Sequence, residues 1–134
     1  MMKKNKSYLG TFAHDKIRPV PLKRNSSQVI NLHESHLPGS HFVCYFNDVN
    51  SKFIYYFDSY GIMPSNAIKT ILKKTGKQII YNSSQIQTKT SNRCGFYCKA
   101  FIDHMSKGKD YLEFIQQFMH KGTENDKILI KILN

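Results

Sequence analysis

The sequence predicts one α+β domain, and three observations carry that prediction. Its 134 residues suit a single domain able to bury its own core. Two apolar runs rich in β-branched and aromatic residues, His41 to Phe46 and Lys52 to Asp58, flank the polar turn Asn47 to Ser51. Downstream, apolar residues recur at helical spacing in three places. Hydrophobic residues at 40% and aromatics at 13% exclude a chain disordered throughout. No run of eighteen apolar residues occurs, so no membrane span is expected. The basic start, Met1 to Lys6, has no apolar stretch after it and is not expected to be a secretory signal.

In chain order, residues 1–7 read as a solvated basic tail ahead of a folded part over 8–134. Tyr8 to Phe12 is a short apolar segment interrupted by Gly10. Pro19 and Pro21 mark an irregular stretch, and Gln28 to Leu32 fits a short strand. The runs at 41–46 and 52–58 should form an antiparallel hairpin buried on both faces, since both side-chain sets are apolar. Pro64 to Lys74 has helical periodicity, with Ile68, Ile71 and Leu72 on one face and Gly76 as its stop. Lys77 to Asn82 fits a third strand, and the polar stretch Ser83 to Arg93 a loop. A helix from Cys94 carries Cys98, Phe101, Ile102 and Met105 on its apolar side. Another runs from Asp110, its cap, to about His120, with a stripe of Tyr111, Phe114, Ile115 and Phe118. Lys127 to Leu133 alternates weakly and reads as a short edge strand.

Twenty Lys and Arg against nine Asp and Glu give a formal net charge of +11, which favours polyanionic partners, nucleic acid first. The basic residues are scattered rather than blocked, so a solubilising surface accounts for them equally well. The three cysteines, Cys44, Cys94 and Cys98, are an odd number, which argues against a disulfide framework and for a reducing compartment.

The chemistry is concentrated at Ser91-Asn92-Arg93-Cys94-Gly95, where a polar loop ends in a thiol at the start of a helix. Thiolate is the reactive form, and a helix N-terminus stabilises it. A buried structural Cys would look the same, so partners decide. His41 opens one strand of the hairpin and Asp58 closes the other, and antiparallel pairing brings those ends together. An acid beside an imidazole fixes its tautomer and stabilises the imidazolium. His41 would then take the Cys94 proton and return it to a leaving amine. An oxyanion would be held by the Cys94 N–H and a side-chain amide upstream, for which both Gln85 and Gln87 are candidates.

The segments Gly39-Ser40-His41-Phe42, Tyr55 to Gly61 and Cys94-Gly95-Phe96-Tyr97-Cys98 resemble motifs of the adenovirus protease (adenain) family, cysteine endopeptidases related to the SUMO-specific proteases. Tyr8 to Phe12 is similar to that family's N-terminal segment. The order His, acid, Gln, Cys is the family's order, with His41 and Asp58 seventeen positions apart and Gln87 seven before Cys94. The resemblance covers about residues 8 to 105. It implies a papain-like fold, with a central Cys-bearing helix packed on an antiparallel sheet, and a protease domain over 8–134. It implies His41 as base, Asp58 as orienting acid, Gln87 as oxyanion donor and Cys94 as nucleophile. It further implies viral capsid and core precursor proteins as substrates, DNA and a short viral peptide as activators, and a monomer acting in the virion and the host cell interior, in the nucleus or a cytoplasmic virus factory.

The chain departs from the pattern in four ways. Phe42 stands where the family usually has Trp, and the acid is Asp rather than Glu. The chain is shorter, which points to a small DNA virus, a virophage or a virus-like transposon. No Cys lies between Asp58 and Gln87, so a disulfide-tethered activator is not expected.

Three competing readings are weaker. His33, Glu34 and His36 lack a recognised zinc spacing, and Cys94 with Cys98 lacks further ligands, so no metal is expected. A basic nucleic-acid binder would need exposed aromatics, whereas these fall in core patterns. A protease of ubiquitin-like modifiers would share the same catalytic frame.

Overall fold

The structure, a computed structural model, describes residues 5–32, 41–87, 93–119 and 123–133. Its centre is a five-stranded sheet of β1 (Tyr8–Ala13), β2 (Ser26–Asn31), β3 (Phe42–Asn47), β4 (Phe53–Phe57) and β5 (Gln78–Tyr81), in the spatial order β1-β2-β3-β4-β5. The middle pairings, β2 with β3 and β3 with β4, are antiparallel as expected, but the two outer pairings are parallel, so the sheet is mixed where an antiparallel one was expected. A parallel neighbour needs a crossover, and α1 (Asn66–Lys73) supplies it between β4 and β5. Ser65 caps α1 through the Ile68 N–H, and Gly76 follows it at φ 76°.

The central strands of the sheet are buried on both faces, each against a different partner. Along β3, Val43 and Tyr45 join Ile30, Ile54, Tyr56, Ile68 and Leu72 on the α1 side. Cys44 and Phe46 point the other way, into a larger core built with α2 (Cys94–Ser106), α3 (Tyr111–Gln116) and α4 (Thr123–Leu133). The period-two alternation of strand side chains sorts the two sets. The larger core is aromatic: Phe57 stacks on Phe101 at 5.1 Å and meets Phe114 edge-on at 5.5 Å between centroids. Asp110 caps α3 by accepting from the Glu113 N–H at 3.2 Å.

Two expectations are corrected. Residues 127–133 are not an edge strand but the body of α4. Leu129 is fully buried while Ile130 and Ile132 are 40% and 44% exposed, a helical rather than alternating pattern. Lys127 to Leu133 satisfies both periods weakly, and packing on α2 selects the helix; Glu124 and Asp126 in its first turn and Lys131 in its last suit the helix dipole. The basic tail is not solvated up to residue 7. Ser7 is buried, its hydroxyl bonded to Ser27 at 3.0 Å, and Asn5 donates to Asp103 and Ser106 on α2. Those partners come from distant parts of the chain and are invisible to local pattern. The segment with His33, Glu34 and His36 lies outside the described residues.

Candidate active site

The hairpin does the assembly foreseen from its ends. Tyr45 pairs with Tyr56 and Cys44 with Phe57; continued past the ladder, that register sets residue 41 across from residue 60. The His41 carbonyl accepts from the Leu32 N–H at 3.0 Å, which ties the residue to β2 as well. His41 Nε2 lies 2.7 Å from Asp58 Oδ1, and Tyr60 stacks on the imidazole at 4.1 Å between centroids with 13° between planes. Asp58 is 1% exposed and is heavily restrained. Its Oδ1 also accepts the Tyr60 N–H at 2.8 Å, its own N–H donates to Asn82 Oδ1 at 3.1 Å, and its carbonyl accepts from Asn82 Nδ2 at 2.6 Å. One oxygen of Asp58 therefore both caps the turn that follows β4 and holds His41.

Cys94 opens α2 at the same end of the sheet. The Phe42 N–H donates to its sulfur at 3.4 Å, which sets the thiol beside the residue that follows His41. Burial pushes the Cys94 thiol up, but His41 and the N–H groups of Phe42 and Gly95 outweigh it and bring the thiol below its ordinary range. Burial likewise pulls His41 down, yet the hydrogen bond to Asp58, followed by the effect of Cys94, carries the imidazole up to about 9. With Nε2 committed to Asp58, the nitrogen left for proton exchange is Nδ1, which is buried and, among the described residues, meets no hydrogen-bond partner in bonding geometry. Catalytic pairs are often loose in this way before substrate arrives. Each group thus favours the charged form of the other.

Gln85 and Gln87 part company. Gln85 is exposed and its amide donates to the Gln87 carbonyl at 2.9 Å. Gln87 is fully buried, and its Oε1 accepts from the Ser59 hydroxyl. The Ser59 carbonyl accepts the N–H groups of Ile86 and Gln87 at 2.8 and 2.9 Å, so the turn after Asp58 grips the Gln87 segment directly. Gly61 makes that approach feasible: its φ is +72°, and a Cβ there would lie 2.6 Å from the Ser84 carbonyl. Cys98 and Cys44 are buried in the core, where burial pushes the Cys98 thiol well up.

Five residues around the site were not singled out from sequence: Ser59, Tyr60, Asn82, Asn125 and Asp126. Asn125, fully buried on α4, donates to the Ile86 carbonyl at 2.9 Å. Asp126 accepts from Tyr97 Oη at 2.7 Å and lies 3.7 Å from Arg93. The start of α4 therefore ties the Gln87 segment and the Cys94 helix to one support. An Asn-Asp pair in the first turn of a helix was the available signal, and reading 127–133 as a strand concealed it.

Two crystal structures of the ASFV pS273R protease superimpose on this chain with TM-scores of 0.60 and 0.56, at 21% and 22% identity, each over 81% of this chain. The fold is that of the papain-like cysteine proteases. The likeness covers only 42% and 41% of those two chains. In sequence, the chain is 37% identical over 84 residues to a protein of Acanthamoeba polyphaga mimivirus provisionally named thiol protease R355; the match covers 55% of this chain and 28% of that one. The chain thus spans less than half the length of each of these proteins. No protein-family model matches it. The fold match and the partial sequence match are both to proteins described as proteases.

Proposed function

We propose that this chain is a cysteine endopeptidase in which Cys94 is the nucleophile, His41 the acid–base group, Asp58 its orienting acid, and Gln87 with the Cys94 N–H the oxyanion donors. One observation carries the reading: Asp58 holds His41 at 2.7 Å while the N–H of Phe42, the next residue, donates to the Cys94 sulfur at 3.4 Å, with the thiol lowered and the imidazole raised to about 9. The Cys94 thiolate attacks the scissile carbonyl and forms a C–S bond, while the π pair moves to oxygen. As the tetrahedral species collapses, the C–N bond breaks and His41 gives its proton to the departing amine. Water then attacks the thioester, losing a proton to His41 and displacing the thiolate. Asp58 stabilises the imidazolium throughout and, by holding Nε2, leaves Nδ1 for the proton exchange.

The substrate reading is viral capsid or core precursor proteins, the narrower assignment that the adenain resemblance implies; the viral thiol-protease relative supports it. A net charge of +11 supports stimulation by DNA, which would weaken as salt rises. Incubation with such precursors, followed by mass mapping of new termini, tests both points. Cleavage by the native chain, absent with Cys94→Ala, is expected. Release of a ubiquitin-like tag instead would replace maturation by deconjugation, and no cleavage of any protein would overturn the reading.

A further inference from the structure

We propose that Ser59 is a positioning residue that sets the polarity of the oxyanion site by fixing which end of the Gln87 amide is presented to the substrate. The proposal rests on Gln87 being an oxyanion donor. A Gln amide is nearly symmetric in shape and opposite in polarity at its two ends. Turned one way it offers an NH2 group to the developing negative oxygen; turned the other it offers a carbonyl oxygen and repels it. In a buried site that reversal is amplified, because water does not screen it. Something near Gln87 must therefore choose.

Ser59 is placed to do so. Its side chain is buried, and its hydroxyl donates to Gln87 Oε1, which leaves the NH2 end as the one turned elsewhere. Its carbonyl takes the Ile86 and Gln87 N–H groups, so the same residue fixes the backbone from which that amide projects. The close approach of 84–85 at Gly61 sets the distance between turn and loop. Ser59 also directly follows Asp58, so one turn, held by the Asp58–Tyr60 bond and the clamp of Asn82, serves the acid and the oxyanion donor together.

The test compares Ser59→Ala, Ser59→Thr, Gln87→Ala and the double variant Ser59→Ala/Gln87→Ala by two reactions. One is peptide hydrolysis. The other is alkylation of Cys94 by iodoacetamide, located by mass mapping, which consumes the thiolate by displacement and builds no oxyanion. Ser59→Ala is expected to lower kcat by about tenfold with little change in KM, the effect of losing one ordering hydrogen bond. Its alkylation rate and pH profile should match the native chain, Ser59→Thr should restore hydrolysis, and the double variant should be no worse than Gln87→Ala. Where Ser59→Ala does not fold, Ser59→Cys, similar in size with a weaker donor, is read in the same way. Native hydrolysis by the variant lacking the hydroxyl, additive losses in the double variant, or a shifted alkylation profile would overturn the proposal; the last would mean that Ser59 acts through Asp58. Native hydrolysis by Gln87→Ala would instead remove the oxyanion reading itself.

Discussion

Cys94 and Cys98 stand one turn apart on the same helix, and the protein gives them opposite chemistry. Both are buried, so burial does not distinguish them. Cys94 meets N–H donors and the imidazole of His41, and its thiol is lowered. Cys98 turns inward to Cys44 and the Phe42 carbonyl, which accepts from its S–H at 3.5 Å; burial, with the other sulfur beside it, pushes the thiol well up. Donors stabilise a thiolate, whereas a carbonyl and a second thiol favour the neutral S–H. The lesson is that reactivity follows from what the neighbours offer, the Gly95 N–H in the first turn of α2 among them.

The largest test of that contrast exchanges the two sites. Cys94→Ala should abolish peptide hydrolysis, whereas Cys98→Ala should keep it within a few-fold; the reverse result would assign the nucleophile to the wrong turn. Next in size is Asp58→Asn, which keeps the shape at His41 but removes the charge. By analogy with triads of this type, kcat should fall by on the order of 10³ to 10⁴-fold. Because Oδ1 also receives the Tyr60 N–H, the fold should survive, and thermal unfolding checks this separately.

Gln87→Ala should lower turnover by on the order of 10²-fold, and Gln85→Ala far less. Comparable losses from both would place the donor at the wrong position in the loop. The pH profile sharpens the contrast further. On the proposed reading the active pair is thiolate with imidazolium, so kcat/KM should rise as the thiol ionises, below the ordinary thiol range, and fall as His41 loses its proton near pH 9. In Asp58→Asn the alkaline limb should move to lower pH, since the bond that raises His41 is weakened. Smallest in activity is Cys98→Ala, which should leave the profile in place while costing roughly 1 kcal/mol of stability through the small cavity it leaves in the core. Urea unfolding measures that cost.

Much of the site was legible because its parts lie at the ends of strong local patterns. His41 and Asp58 bracket a hairpin whose pairing follows from two apolar runs and a polar turn, and Cys94 sits where a polar loop becomes an amphipathic helix. The supports were not legible. Nothing local separates Gln87 from Gln85; a hydroxyl on another strand's turn and the absence of a Cβ at Gly61 do so. Nothing local says that Asn125 reaches the Ile86 carbonyl, thirty-nine positions back along the chain.

The sequence by itself determined the central antiparallel strands, the Cys-bearing helix, the capped helix after Asp110 and the candidate trio. Each depends on periodicity, capping or turn chemistry, which act over a few residues. Only the tertiary structure decided the parallel outer strands, the docking of Asn5 and Ser7, and the fate of residues 127–133. The last segment satisfies two periodicities at once, so its own preferences nearly cancel. The apolar face offered by α2 breaks the tie, because burying Leu129 there stabilises a helix that local propensity alone did not select.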